Sequence, residues 1–143
     1  MLRLGIDLVD VDEVEQYLAH FGEHYKQRLL DEAERAWLEE NGSQPARLAE
    51  LVAAKEAVIK VIQPGARGLD WRLVGLRPSG PGRFALVASG AAAEAASAAG
   101  VAVAQVNVAH TPSHALALAL ASSAGEGAVE GTDLCRSPDA EPH

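Results

Sequence analysis

Asp7 stands between Ile6 and Leu8 in an otherwise apolar run that reads as a β-strand. Aspartate is depleted in strands, and an ionised carboxylate buried without a partner is costly. A carboxylate in such a place needs a cation. Further along, Glu56 and Lys60 lie four residues apart on the flank of an apolar helical stripe formed by Leu48, Leu51, Val52, Val58, Ile59 and Ile62. Lys55 falls in the middle of that stripe, where a lysine must snorkel, pair or hold an anion. Glu56 and Lys60 can meet each other or a shared ligand. If Asp7 and Glu56 are adjacent in space, they form a hard two-oxygen site of the kind that holds Mg2+ together with substrate phosphates and water. Alternatively, Asp7 pairs with Lys55 or Lys60. Spacing alone leaves both readings open.

His110 and Thr111 form a second group, after a strand pattern at 101–108. An imidazole beside a hydroxyl, with glycine-containing turns nearby, suits a phosphate; a loop histidine without a ligand is the plainer alternative. His20, His24, His114 and His143 show no metal-ligand spacing with His110. No Walker A, GxGxxG or GxSxG element occurs.

Several elements must position these residues. Residues 2–11 read as a strand. Asp12 then caps a helix that runs to Gly22, with Glu15 completing a capping box. A short helical stretch follows around 24–30. Asp31 caps a further helix that stops at Asn41-Gly42, and the longest helix spans about 45–62 before Pro64-Gly65. Strands at 71–77 and 84–88 flank a Pro/Gly turn, an Ala-rich helix covers 90–99, and 101–108 and 115–121 read as the last strands. This order implies an α+β fold with helices packed on a largely antiparallel sheet.

The chain has 143 residues, enough for one domain, and with 4% aromatics its core must rest on Ala, Leu, Val and Ile. A net charge of −8 argues against non-specific nucleic-acid binding, which needs Lys and Arg to neutralise phosphates. Cys135 alone excludes a disulfide scaffold or a Cys-rich zinc site. There is no apolar run of membrane-spanning length and no signal-peptide pattern, so no membrane association and a cytoplasmic location are expected. Residues 1–122 are read as the folded domain and 123–143, rich in Gly, Pro, Asp and Glu, as a disordered acidic tail.

Three segments carry a family resemblance: GIDLVDVDEVE at 5–15, RLAELVAAKEAVIKVI at 47–62 and VNVAHTPSHALALAL at 106–120. In this order and at these separations they resemble the holo-acyl-carrier-protein synthase type of 4′-phosphopantetheinyl transferase. The resemblance implies a small α+β protein that forms a homotrimer with active sites at subunit interfaces. It implies transfer of phosphopantetheine from coenzyme A to a serine of an apo acyl or peptidyl carrier protein, leaving adenosine 3′,5′-bisphosphate. Matched to the motifs, Asp7 and Glu56 are the Mg2+ ligands, and Asp7, Glu56 and Lys60 form the catalytic set. Lys55, Lys60, His110 and Thr111 are expected at the coenzyme A phosphates.

Leu51-Val52 stands where the family usually carries Arg-Phe, and Asn107 and Ala109 where it carries hydroxyl residues. The first helix opens with Asp10, Asp12, Glu13 and Glu15 where the family is basic. These features imply a weaker nucleotide clamp and a carrier protein that is not strongly acidic. A second reading is a catalytically weak homologue acting as a binding or accessory protein in a carrier-protein-dependent pathway.

Overall fold

The computed structural model describes residues 1–62 and 68–123. β1 (Leu2–Asp10) passes without a loop into α1 (Val11–Phe21), followed by α2 (Glu23–Leu29), α3 (Glu32–Asn41) and α4 (Pro45–Ile62). A 3-10 turn at Trp71–Leu73 leads into the hairpin of β2 (Val74–Gly80) and β3 (Arg83–Ala88). Then come α5 (Gly90–Ala98), β4 (Val103–His110) and β5 (His114–Ser122). The five strands form one sheet in the order β1-β5-β4-β3-β2, with every neighbouring pair antiparallel. The expected α+β architecture is therefore present.

Local differences from the sequence reading have local causes. The cap of α1 is Asp10, whose carboxylate accepts from the Asp12 backbone N–H, and not Asp12. Two aspartates two residues apart could each cap this helix. The earlier one wins because Val11 and Val14 then lie three apart on one buried face. Asp31 caps α3 in a full capping box with Glu34. Residues 71–73 are helical rather than extended because Asp70 accepts from the Arg72 backbone N–H and closes a turn. The helix stop at 64–65 and residues 124–143 of the expected tail lie outside the described residues.

α4 crosses the sheet and is buried nearly all round. Ala49, Ala53, Ala54 and Ala57 are buried beside Leu48, Leu51, Val52, Val58 and Ile62. Small residues of the sheet make room for it. Ala115, Ala117, Ala119 and Ala121 of β5 are fully covered. At Gly5 of β1 an added Cβ would lie 2.2 Å from the Ala57 carbonyl oxygen. Only glycine allows this approach, so β1 lies directly on α4. Asp7, one strand period on from Gly5, thereby faces the α4 turn that bears Glu56 and Lys60.

The same alternation turns the large side chains of β1 outward. Leu2, Leu4, Ile6 and Leu8 are about 60% exposed, at 62, 63, 59 and 63%. Their cross-strand neighbours on β5 are Leu120 opposite Leu4, Leu118 opposite Ile6 and Leu116 opposite Leu8, and these too are exposed. The apolar run in β1 thus belongs mainly to the outer face of the sheet.

Candidate active site

Lys60 and Asp7 form the first contact of the site. Lys60 Nζ donates to Asp7 Oδ1 at 2.7 Å and to the Ile6 carbonyl at 3.0 Å. Of the open pairings for Asp7, this is the one formed. Asp7 Oδ2 is buried and has no hydrogen-bond partner among the described residues. Glu56 lies beside it: burial, and then the adjacent Asp7 carboxyl, push the Glu56 carboxyl up to about 7, against the pull of Lys60. Asp7 and Glu56 are therefore neighbours, as the metal-site reading required. Tyr25 of α2 and Glu13 of α1 border the same place. Burial, with Tyr17, Glu56 and Glu13 nearby, raises the Tyr25 phenol to about 12.

Lys55 is not in this site, and its expected contact with coenzyme A is corrected here. It is fully buried, and its ammonium donates to Glu34 Oε1 at 2.6 Å, the Leu29 carbonyl at 2.8 Å and the Trp71 carbonyl at 2.8 Å. No N–H remains for a phosphate. Glu34 also accepts from the backbone N–H groups of Asp31 and Leu76. The pair ties α2, α3, α4, the 3-10 turn and β2 together. Burial draws Glu34 up and Lys55 down, and their mutual attraction opposes both shifts. Glu34 escaped the sequence reading, although its place three residues after the Asp31 cap marked one half of a capping box.

His110 ends β4 and meets another carboxylate. Its Nδ1 contacts Glu50 Oε1, and Glu50 Oε2 accepts from Arg47 at 3.3 Å. Glu50 was also missed, because an acid three residues after an arginine on a helix looks like an ordinary surface pair. Thr111 lies in the β4–β5 turn, where its hydroxyl oxygen accepts from the backbone N–H of Ser113 and His114. Beside Glu50 is a pocket of about 420 Å³ lined by Trp37, Arg47, Gly82, Arg83 and Phe84. The Arg47 guanidinium lies 5.8 Å from the Trp37 ring centroid. Leu51 and Val52 are core residues, so the cations at this pocket are Arg47 and Arg83.

A larger groove of about 610 Å³ lies next to Tyr25. Tyr17, Phe21, Tyr25 and Trp71 line it, with Arg28 and Arg72 at its rim. Among the described residues no group of three or more His, Cys, Asp or Glu could hold a metal by itself.

A family model described as the 4′-phosphopantetheinyl transferase superfamily matches residues 3–119. The chain belongs to this superfamily. The transferase expectation is borne out at that level. The chain is 35% identical over 120 residues to the holo-[acyl-carrier-protein] synthase of Koribacter versatilis, covering 82% of this chain and 94% of the relative. It is 38% identical over 95 residues to that of Paramagnetospirillum magneticum, covering 65% and 71%. Among solved structures it resembles the holo-[acyl-carrier-protein] synthase of Neisseria meningitidis, with a TM-score of 0.74 at 23% identity over 84% of this chain and 97% of that one. The Helicobacter pylori enzyme in complex with coenzyme A gives 0.71 at 21% identity over 84% and 100%. These structural likenesses establish the fold.

Proposed function

We propose that the chain is a holo-[acyl-carrier-protein] synthase that moves 4′-phosphopantetheine from coenzyme A to a serine of an apo acyl or peptidyl carrier protein. The observation that carries this reading is the Asp7–Glu56 pair with Lys60 against it, in a chain of this superfamily. The buried Asp7 Oδ2 and the Glu56 carboxyl beside it, pushed up to about 7 by burial and by Asp7, both mark a deficit of positive charge. Two hard oxygen donors with that deficit fit Mg2+, which Asp7 and Glu56 would hold. Bound there, Mg2+ supplies charge neutralisation to the pyrophosphate.

The remaining work falls to the chain. The Lys60 side chain is 56% exposed and can reach from Asp7 to a phosphate oxygen. The Glu56 carboxylate can accept the serine proton. The serine oxygen bonds to the phosphorus of the pantetheine phosphate, and the bond from that phosphorus to the bridging oxygen breaks. The electron pair leaves on adenosine 3′,5′-bisphosphate. Positioning and charge neutralisation dominate such a transfer.

The outer Leu/Ile face of β1 and β5 supports self-association, because a soluble monomer rarely leaves so contiguous an apolar surface open. We place it at the interface of a homotrimer. No hydrogen bond or ion pair joins the His110 cluster to the acid pair within one chain among the described residues. A site shared between subunits would bring the two together. Among the described residues no helix is long and apolar enough to cross a membrane; the cytoplasm, beside its carrier, is the location that goes with the proposed activity.

The test is incubation with coenzyme A, Mg2+ and apo carrier proteins graded by charge, followed by intact mass measurement. The expected result is a carrier heavier by one phosphopantetheine. Coenzyme A binding without any mass change would favour the accessory-protein reading instead.

A further inference from the structure

Two side chains from different elements end on one buried carboxylate. Glu50 of α4 is 4% exposed, and its two oxygens hold His110 from the end of β4 and Arg47 from the first turns of α4. We propose that Glu50 is a positioning residue for the nucleotide end of the coenzyme A site, fixing which nitrogen His110 presents to a ligand phosphate. The proposal rests on the coenzyme A reading above.

A carboxylate only accepts, so the His110 nitrogen that meets it, Nδ1, must carry the hydrogen. Nε2 is then the nitrogen left for a ligand and makes no hydrogen bond among the described residues; it donates to a phosphate oxygen in the doubly protonated ring, whose positive charge the Glu50 carboxylate balances. The His110 side chain is 34% exposed, so a ligand can reach it. This follows the general rule that the bond at one ring nitrogen sets the role of the other.

Arg47 shows the same unfinished state. Its Nε is buried with no hydrogen-bond partner among the described residues, although its guanidinium is held by Glu50 and lies against Trp37. Glu50 and Arg47 both line the pocket that Trp37, Arg83 and Phe84 complete. A flat aromatic wall, two guanidiniums and an oriented imidazole nearby suit a nucleoside phosphate. Glu50 contributes no attraction to that anion. Its part is to hold the groups that do.

A merely structural ion pair would change stability and leave the ligand untouched, so the test is a double-mutant cycle. Wild type, Glu50→Gln, His110→Ala and the double variant are compared by coenzyme A KM and kcat, and by calorimetric Kd. Glu50→Gln should raise the coenzyme A KM about tenfold, which corresponds to about 1.4 kcal/mol, with kcat and the carrier KM little changed. In the His110→Ala background the same substitution should add little. An equal fold-change in both backgrounds would overturn the proposal, as would a fall in melting temperature with no change in KM or Kd.

Nitrogen-15 NMR of the His110 ring gives a readout independent of activity and requires only that wild type folds. Without ligand, neutral His110 should carry its proton on Nδ1, and bound coenzyme A should add one at Nε2; a neutral ring protonated at Nε2 instead would overturn the proposal. Coenzyme A binding that depends on Glu50, without transfer to any carrier, would sink the transferase reading and leave this one standing.

Discussion

Lys60 on the exposed flank of α4 and Asp7 on the buried side of β1 are joined at 2.7 Å, although 53 residues separate them in sequence. The two partners are not equivalent. Lys60 can turn to water, whereas Asp7 cannot. Removing Lys60 therefore leaves a buried carboxylate without compensation, while removing Asp7 takes the problem away. Lys60→Ala should lower stability by about 1–3 kcal/mol, and Mg2+ should restore part of it. Asp7→Ala should be neutral or stabilising without metal and should abolish Mg2+-dependent transfer. Thermal melts with EDTA and with Mg2+ check the first pair of outcomes, and full transfer by Asp7→Ala would remove Asp7 from the metal site.

Glu56 yields a pH dependence. Its carboxyl titrates at about 7 in the metal-free chain, above the ordinary 4.5. Across that interval the folded chain keeps a proton that the unfolded chain has lost. Stability of the metal-free protein should therefore fall as pH rises from 4.5 to about 7, and this group should add no slope above that. Glu56→Gln should flatten this interval, and saturating Mg2+ should do the same by favouring the ionised form. Melting temperature against pH, with EDTA and with Mg2+, is the measurement.

The Lys55–Glu34 pair should behave as scaffold. Breaking it on one side, as in Lys55→Met, leaves Glu34 buried and should cost about 3–5 kcal/mol. Lys55→Met with Glu34→Gln should recover part of that, though not all, because Glu34 also accepts from the Asp31 and Leu76 backbone. Denaturant unfolding gives the comparison. Coenzyme A Kd in whichever variant folds should stay near wild type, and a selective loss of affinity would return Lys55 to the ligand site.

Much of the scaffold could be read from the chain because local chemistry determined it. The Asp31 cap, the Gly22 stop and the length of α4 follow from side chains acting within a few residues. Which face of β1 is buried could not be read that way. Leu2, Leu4, Ile6 and Leu8 outweigh Gly5, Asp7 and Val9 in any apolar count, yet the helix contact needed the missing side chain of Gly5. Lys55 was recognisable as a problem, but its solution, Glu34, lies 21 residues away across a tertiary contact. Glu50 gave no sign, since burial of a helix acid depends on what β4 brings to it.

The outer face of β1 and β5 should hold copies of the chain together. Ile6→Lys together with Leu118→Lys places charge at the centre of that face, on directly opposed residues. Sedimentation should shift from trimer to monomer, with circular dichroism unchanged, because neither side chain touches the core. Transfer should fall with assembly if the site is shared between subunits. An unchanged sedimentation coefficient would assign association to another surface.

The start of α1 should select the carrier by charge. Asp12, Glu13 and Glu15 are exposed there, ahead of the aromatic groove formed by Tyr17, Phe21 and Tyr25. Part of this acid serves the helix itself, because Asp10 caps it and Asp12 and Glu13 complement its dipole. Glu15 lies beyond the first turn and is the cleaner probe. Glu13 also raises Glu56 and Tyr25, so a change there disturbs the acid pair as well. Glu15→Lys should speed modification of an acidic carrier and slow that of a basic one. Both effects should shrink with salt, since exposed charges are screened over about 8–10 Å at physiological ionic strength. For the unaltered chain, a carrier with a neutral or basic recognition helix should be the faster substrate, mainly through its association rate. Initial rates across carriers graded by charge, at low and high salt, decide the matter. Equal rates throughout would leave the acidic turn of α1 with its capping role alone.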